Sequence, residues 1–463
     1  MVLKQIIQHL PEVRKPTEKK LGFNDKLKWT LIVLGIYFIM YNIKLYGLSK
    51  NALERFDFLS TILGTDFGAI ISLGIGPIVT SSIIIQLLVG SGIFSLDTKS
   101  EEGKRLFQGI QKLGTLFFIV FEACIFVLMR GLEANPGYQS IVIFQLILGG
   151  LAIMFMDEVV AKWGFGSGVS LFIVAGVALQ IFIGLFQFIG TDGSNCLADF
   201  GGDTPCSGRV LVIIQSIIKG DPVGALLALS VILVTIAVFL AVVWAQNLKV
   251  EIPLSYDRLR GYGVKWPLQF FYASTLPVIL VAALIANIQL FGGLLETWLG
   301  HPTFLGGFQN GQPISGFAYW VHAPNLLQAV VTGSLLGTQV LQGLFHFLFY
   351  VIFSVIFSIF WVKTTGIDAA GQAKNIASSG LQIAGFRKDP RILESILSRY
   401  IFPLTVMGGL AIGALSAFAD VLGTLTSGTA ILLAVMILYQ LYQSVAQQHA
   451  LDMSPGLRKM MGG

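Results

Sequence analysis

The sequence predicts an all-α integral membrane protein of ten transmembrane helices, arranged as two five-helix halves of inverted orientation. Three observations lead to this fold class. Of the 463 residues, 54% are hydrophobic and only 12% charged; ten apolar stretches are long enough to cross a bilayer; and Lys and Arg collect in alternate connecting segments. A soluble domain carries roughly 25% charged residues, and 54 aromatic residues (35 Phe, 12 Tyr and 7 Trp) exclude a disordered chain.

Each predicted helix rests on the rule that about 20 mostly apolar residues cross roughly 30 Å of hydrocarbon. Residues 1–28 form an N-terminal segment, residues 29–188 an N-terminal half, residues 189–222 a loop, residues 223–447 a C-terminal half and residues 448–463 a tail. Spans one to five cover residues 27–45, 69–90, 106–129, 140–160 and 168–188. Spans six to ten cover residues 223–243, 267–290, 340–362, 400–419 and 428–446.

The distribution of Lys and Arg predicts the orientation, because these residues accumulate in short cytoplasmic loops. With the N-terminus inside, cytoplasmic stretches hold 23 Lys and Arg and outer stretches 6, while Lys112 falls within span three. Both termini are therefore predicted to be cytoplasmic, in a multi-pass protein of the cell membrane. Two long basic loops, 247–266 and 363–399, lie on that side.

The predicted outer side has two notable stretches. Residues 291–335 contain no Lys or Arg, which makes this stretch an unlikely docking site for an acidic partner. The loop after span five contains Cys196 and Cys206, and a disulfide is chemically permitted outside the cytosol. Both the bridged and the free state of these cysteines remain open at this point.

Ten spans divide into two halves of five, and an odd-numbered half repeated in tandem must be inserted with opposite orientation. Sites in such proteins lie at the repeat interface, lined by broken or Gly-interrupted helices. Residues 58–67 are apolar but too short to cross, and glycines and Pro77 follow them closely. We expect a short helix that folds back before span two; a helix lying on the membrane surface is the alternative.

Polar residues inside apolar spans are functional candidates because they are costly to desolvate. Glu122, Thr80 and Asn287 occupy middle positions of spans three, two and seven. The alternative is that all three are unrelated polar residues satisfied locally. Asp157 and Glu158, near the end of span four, are interpreted as a solvated interfacial cluster.

Other patterns in the spans carry less information. Ile75 with Val79, and Val169 with Ile173, are i,i+4 apolar pairs that the sequence does not distinguish from core or lipid-facing residues. Glycines at 408, 409 and 413 indicate close helix packing. The three cysteines match no zinc or redox spacing, and no catalytic or nucleotide-binding motif occurs, so neither a metal nor a cofactor is predicted.

Specific strings distributed over most of the chain closely resemble the SecY family, in particular its archaeal branch. They are Leu73-Gly-Ile-Gly-Pro-Ile-Val-Thr80, Ile85-Gln-Leu-Leu-Val-Gly-Ser-Gly92, Leu106-Phe-Gln-Gly-Ile-Gln-Lys112, Gly166-Ser-Gly-Val-Ser-Leu-Phe172, Val250-Glu-Ile-Pro-Leu254, Ala286-Asn-Ile-Gln289 and Phe360-Trp-Val-Lys-Thr-Thr-Gly366. This family provides the central subunit of the Sec translocon. The resemblance implies a protein-conducting channel that translocates secretory polypeptides and releases transmembrane segments sideways into lipid.

The resemblance also implies roles for particular residues. A central pore between the halves would be closed by an apolar ring of Ile75, Val79, Val169, Ile173, Ile279 and Leu433. The re-entrant segment 58–67 would be a plug, with Phe58, Leu59, Ile62, Leu63 and Phe67 as its apolar residues. Spans two and seven, flanked by three and eight, would form a lateral gate whose polar cluster is Thr80, Glu122 and Asn287.

The implied partners are a SecE-like single-span subunit, a small third subunit (β- or SecG-like), the ribosome, signal peptides, nascent polypeptides and membrane lipid. Arg258, Arg260, Arg387 and Lys388 in the basic loops are the candidates for contact with ribosomal RNA phosphates; as an alternative, they act only as positive-inside topology signals. A second function class is an inverted-repeat secondary transporter of small solutes, which would share ten spans and broken helices. Such carriers usually need buried charges, and the spans offer essentially Glu122 alone. A membrane-embedded enzyme is a third class without a supporting motif.

Overall fold

The structure is a computed structural model of the full chain, and it describes residues 9–16, 21–51, 65–90, 100–129, 131–190, 195–196, 206–256, 263–273, 276–309, 312–378, 381–383 and 390–453. Helices occupy all ten predicted spans. The first half contains α1 (Phe23–Asn42), α2 (Gly76–Gly90), α3 (Glu101–Leu128), α4 (Gln139–Trp163) and α5 (Gly168–Phe186). A shorter helix, α6 (Arg209–Lys219), lies in the loop between the halves.

The second half supplies the other five spans and three short helices between them. In chain order these are α7 (Pro222–Gln246), α8 (Leu276–Leu299), α9 (Gly316–Val321), α10 (Leu326–Val331), α11 (Gly337–Thr364), α12 (Ala369–Ser378), α13 (Pro390–Leu422) and α14 (Gly428–Met453). Spans six to ten thus correspond to α7, α8, α11, α13 and α14. Within the described ranges, eight helices are both long enough and apolar enough to cross a bilayer; α1 and α2 complete the ten.

Span two differs from its prediction. The predicted span began at residue 69, but α2 begins at Gly76 and is preceded by buried turns. Gly68 and Gly74 adopt positive φ angles of 97° and 52°, which interrupt a right-handed helix at little cost only because glycine has no Cβ. Pro77 then occupies the first turn of α2, where its missing N–H is not needed.

Three small sheets join the loops. β1 (Leu48–Asn51) pairs with β2 (Leu132–Ala134), and β5 (Gly307–Gln309) with β6 (Gln312–Ser315). The third sheet has the order β4-β3-β7 and combines β3 (Lys249–Tyr256), β4 (Gly263–Gln269) and β7 (Leu381–Ile383), all antiparallel. It connects the two basic loops, which the sequence treated as separate.

This sheet also corrects the start of span seven. The predicted helix began at residue 267, whereas residues up to Gln269 continue β4, with Leu268 opposite Val250. Strand pairing satisfies the backbone polar groups of this segment, and buried Leu268 packs in a cluster with Leu393 and Leu397 of α13. The same cluster explains why α13 begins ten residues before the predicted span nine: its first turns bury apolar residues against the sheet.

Small residues allow the helices of the second half to pack closely, as the glycine pattern predicts. A Cβ added at Gly409 would lie 3.1 Å from the Cα of Val355, and one added at Gly413 would lie 3.0 Å from the Cα of Val351. Helices α11 and α13 therefore approach at a distance that larger residues would prevent.

The loop between the halves is closed by a disulfide. Cys196 and Cys206 are bonded, with their Cα atoms 5.4 Å apart, and both are buried. Gln215 of α6 accepts a hydrogen bond from the Cys206 backbone N–H at 3.1 Å. Helix α6 was not predicted, because its eleven residues are too few for the span criterion.

Candidate functional site

The six residues implied to form the apolar ring belong to one large core cluster, or pack against it, and this cluster draws on both halves. Five of them are buried: Ile75, Val79, Ile173, Ile279 and Leu433 are between 0 and 5% exposed. Val169 is partly buried and packs against this cluster. They come from the turn before α2 and from α2, α5, α8 and α14, so the structure brings together side chains separated by up to 358 positions of sequence.

Helices α5 and α14 carry three of these residues. In each half, an aspartate of the preceding helix caps the N-terminus of α5 or α14. In the first half, Asp157 of α4 accepts a hydrogen bond from the backbone N–H of Val169 at 2.9 Å. In the second, Asp420 of α13 accepts one from the backbone N–H of Thr429 at 2.9 Å. A carboxylate at a helix N-terminus satisfies orphan N–H groups and interacts favourably with the helix dipole.

A glycine precedes each capped residue and makes the approach possible. A Cβ added at Gly168 would lie 2.4 Å from the Cα of Asp157, and one added at Gly428 would lie 2.1 Å from the carbonyl carbon of Ala419. Ile173 and Leu433 each lie four residues after the capped residue, one turn into the helix. The repeated device is a structural counterpart of the inverted five-helix halves.

This arrangement corrects the interpretation of Asp157 and Glu158 as one solvated cluster. Asp157 is the cap of α5. Glu158 pairs with Lys112 at 2.8 Å and with Lys162 at 3.5 Å, so Lys112, left unassigned within span three, has a partner. Adjacent residues on a helix point about 100° apart, which explains why two neighbouring carboxylates serve different purposes.

A cavity of about 640 Å³ opens next to the ring. Val79, Val169 and Ile279 of the ring line one part of it, and Lys104 of α3 and Thr364 of α11 line another. These last two residues lie at the ends of their helices nearest to the basic loops, so the cavity is a vestibule on that side. Its described lining also contains polar side chains, among them Ser82, Gln86, Gln111 and Ser167.

The three polar residues from spans two, three and seven meet at one place. Asn287 Nδ2 donates to Thr80 Oγ1 at 3.4 Å, and the Thr80 side chain also hydrogen-bonds the Glu122 carboxyl group. Glu122 is only 4% exposed, and its Oε1 atom has no hydrogen-bond partner among the described residues. Helix α2 packs against α3, α8 and α11, so this cluster lies on the seam between the two halves.

Further polar contacts between α2 and α3, within the first half, were not predicted from the sequence. Ser81 Oγ donates to the Gln111 backbone carbonyl at 2.8 Å, and Gln111 Nε2 hydrogen-bonds Ser82 Oγ. Because serine and glutamine are common within membrane helices, nothing in the sequence marked these residues.

The other predicted site residues are only partly described. Phe58, Leu59, Ile62 and Leu63 of the implied plug lie outside the described residues. Phe67 is buried in a second core cluster, where its ring centroid lies 6.4 Å from that of Phe126 of α3. Arg258, Arg260, Arg387 and Lys388 also lie outside the described residues; in sequence they follow β3 and β7, which pair with each other.

A second cavity, of about 210 Å³, was not predicted. Its lining includes Gln289, His322, His346 and Asp420. His346 Nδ1 lies 2.6 Å from the Val321 carbonyl oxygen, and its Nε2 lies 3.7 Å from Asp420 Oδ2. Burial lowers the pKa of His322, which lies in the connection after α9, to about 4, and His346 adds to this effect. The sequence signal was weak, since these residues are separated by up to 131 positions.

Comparison with known proteins gives a consistent result. The SecY family model matches residues 69–442. The chain is 41% identical to the protein translocase subunit SecY of Methanothermobacter thermautotrophicus, covering 98% of this chain and 97% of that protein. A solved protein-conducting channel superimposes with a TM-score of 0.83 at 38% identity, covering 98% and 99% of the two chains. Sec61 in the canine ribosome-channel complex gives 0.80, also at 38% identity, over 98% and 99%. The likeness to channels confirms the predicted fold class.

Proposed function

This chain belongs to the SecY family, and from that premise we infer that it is the channel subunit of a protein translocase. It translocates secretory polypeptides across the membrane and releases transmembrane segments sideways into lipid. The observation that supports this function is the position of the proposed ring residues: they belong to or pack against one core cluster drawn from both halves, and Val79, Val169 and Ile279 line a cavity that also contains polar side chains. The relatives reported above are a translocase subunit and channels, and they give no support to a small-solute transporter.

We propose that the ring is the channel constriction. Branched aliphatic side chains deform around a passing polypeptide without hydrogen-bonding to it, so they select no particular sequence. A narrow apolar constriction also dewets, which resists ion flow while the channel is idle. The plug, proposed at residues 58–67, would add a second seal.

We propose that the seam between the halves is the lateral gate, with Thr80, Glu122 and Asn287 as its polar cluster. Opening of this seam would let each segment of a polypeptide partition between water and lipid, and about 20 apolar residues favour lipid. The hydrogen bonds of the cluster then stabilise the closed seam, because they form only while α2, α3 and α8 are together.

The partners follow from the same family membership. The proposed assembly includes a SecE-like single-span subunit, a small β- or SecG-like subunit, and signal peptides and nascent polypeptides as clients. The ribosome is the proposed cytoplasmic partner, because the β4-β3-β7 sheet joins the two loops that contain Arg258, Arg260, Arg387 and Lys388. The proposed location is the cell membrane, with both termini cytoplasmic, supported by the 23 to 6 distribution of Lys and Arg.

A reconstituted assay tests the function. The purified chain with its single-span partners in lipid vesicles is supplied with ribosomes bearing a secretory nascent chain. We expect protease protection of the nascent chain, and lipid cross-linking of a nascent chain with a 20-residue apolar segment. Uptake of small solutes without polypeptide protection would instead favour the transporter.

A further inference from the structure

Residues 291–336, which comprise the last turns of α8 and the connection from α8 to α11, lack the charged surface of a water-facing loop. Residues 291–336 contain one Asp, Glu, Lys or Arg, namely Glu296. Its carboxylate accepts a hydrogen bond from the backbone N–H of Phe308 at 2.9 Å, so it serves the packing of this stretch. A segment exposed to water would carry roughly one charged residue in four.

The same stretch exposes large apolar side chains. Eight of them lie on its described surface: Trp298, Leu299, Phe304, Ile314, Trp320, Val330, Leu335 and Leu336. Phe304 is 84% exposed. So many exposed large apolar side chains within one stretch of chain indicate a surface that contacts something other than water.

A ring contact relates this stretch to the predicted boundary of the membrane-spanning segment of α11. Trp320 of α9 packs edge-on against Phe345 of α11, with ring centroids 5.9 Å apart. Phe345 lies five residues inside the start of the predicted apolar span at Val340, which corresponds to about 7.5 Å along the helix axis. Val340, Leu341 and Leu344 around it are exposed apolar residues, so α9 continues the lipid-facing surface of α11.

The end of α8 gives a second, independent indication of the depth of this stretch in the bilayer. Trp298 is the penultimate residue of that helix and is 60% exposed. Trp and Tyr are enriched where helices leave the hydrocarbon, because the amphipathic ring suits the headgroup layer. Interfacial elements bury their apolar face roughly 5–10 Å into that boundary, in agreement with the depth given by Phe345.

We propose that residues 291–336 form an interfacial platform that lies in the headgroup layer of the leaflet opposite the β4-β3-β7 sheet. Its partner is lipid with neutral or zwitterionic headgroups, since the platform contains no Lys or Arg to attract an anionic one. Apolar and aromatic burial holds it there, so the contact should be insensitive to salt. The proposal does not depend on the channel function.

Depth-dependent quenching tests the platform. In a Cys124→Ser background, which leaves Cys196 and Cys206 bridged, Phe304→Cys is labelled with an environment-sensitive fluorophore. The full chain with its partner subunits is reconstituted in phosphatidylcholine vesicles that carry spin-labelled lipid with the quencher near the headgroup or near the chain end. We expect blue-shifted emission and stronger quenching by the shallow label than by the deep one, unchanged in 1 M salt.

Matched sites calibrate the result. Leu233→Cys, in the middle of α7 and 56% exposed, should be quenched more by the deep label. Lys374→Cys, exposed on α12, should be quenched by neither. Ile314→Cys serves as a second platform probe, since its side chain is also exposed and its replacement removes little packing.

Two outcomes overturn the proposal. Emission and quenching at 304 and 314 equal to those at 374 would place the platform in water. Blue-shifted emission without quenching by either lipid would mean that protein, either another subunit or a second copy of this chain, covers the surface.

Discussion

Replacement of Ile75, Ile279 and Leu433 with serine should let water into the proposed apolar constriction. These three side chains are 1%, 2% and 0% exposed and come from three separate elements, the turn before α2, α8 and α14. The triple variant therefore adds a hydroxyl group to each of three sectors of the constriction and removes most of its branched aliphatic volume. We expect a raised ion conductance in the idle channel, while polypeptide translocation persists.

The size of the expected shift toward a water-filled constriction follows from the burial of these three side chains. A serine hydroxyl left dry and unpaired costs about 1–3 kcal/mol, and water that enters the ring removes this cost. Three sites shift the balance between dry and wet states by roughly 3–9 kcal/mol in favour of water, and since 1.4 kcal/mol is tenfold, the wet state gains at least about a hundredfold. The lost burial, about 1.5–3 kcal/mol for each aliphatic side chain, also lowers the free energy of unfolding.

Planar bilayer recording of the purified complex without substrate measures the leak. A matched control replaces Leu226, Leu233 and Leu240 with serine; these residues are 56–60% exposed on α7, so they face lipid and not the ring. Both variants are also recorded in a background that lacks residues 58–64, which removes most of the proposed plug as a second seal.

A triple ring variant whose leak equals that of the α7 control, with and without residues 58–64, would show that these residues do not form the constriction. A leak in both variants would mean that loss of stability, and not wetting of the ring, causes the conductance.

Three further predictions concern the gate, the second cavity and a helix contact. Thr80→Val and Asn287→Ala should be non-additive in the hydrophobicity at which test segments leave sideways, with a coupling of about 0.6 kcal/mol, typical of a hydrogen bond between membrane helices; strict additivity would separate the two residues. In the folded protein the pKa of His322 is lowered to about 4 from 6.5. As the pH falls from 6.5 to 4, this histidine is therefore protonated in the unfolded chain before it is protonated in the folded one, and the free energy of unfolding should fall by up to about 3 kcal/mol. The thermal unfolding midpoint of His322→Gln in detergent should lose that part of the pH dependence, and parallel curves would contradict it. Gly413→Val should destabilise the chain by about 1–3 kcal/mol because its Cβ would press on Val351, and an unchanged midpoint would show that α11 can shift.

The helical architecture was largely readable from the sequence, since a bilayer demands long apolar segments and places few other requirements on them. The exceptions have local causes. Residues 69–75 are as apolar as the helix that follows, yet positive-φ glycines hold them in turns. Leu268 is apolar enough for a span, yet its backbone pairs with β3. Apolar content alone does not distinguish a buried strand or turn from a helix.

The functional site was predictable only in part. Ile75 and Val79 were interpreted as a pair on one helix face, although Ile75 lies in the turn before α2. Nothing in the sequence indicated which residues they contact, and their assignment to a ring came from resemblance to a family. Asp157 was assigned to a surface cluster because the sequence cannot show that Val169, twelve residues away, folds back onto it. The polar contacts of Gln111 and the cavity at His322 were missed for the same reason.

The sequence by itself determined that this chain lies in a membrane, how many times it crosses and which loops carry the positive charge, because partition between water and hydrocarbon depends on composition and length. Only the tertiary structure decided which faces of the helices meet. It places Ile279 and Leu433 in the same core cluster as Ile75, and Asn287 beside Thr80, through contacts that span the two halves. An apolar side chain is almost equally stable in lipid hydrocarbon and in a protein core, so the sequence does not show which helix faces meet. Shape complementarity between the packed helices decides which faces are in contact.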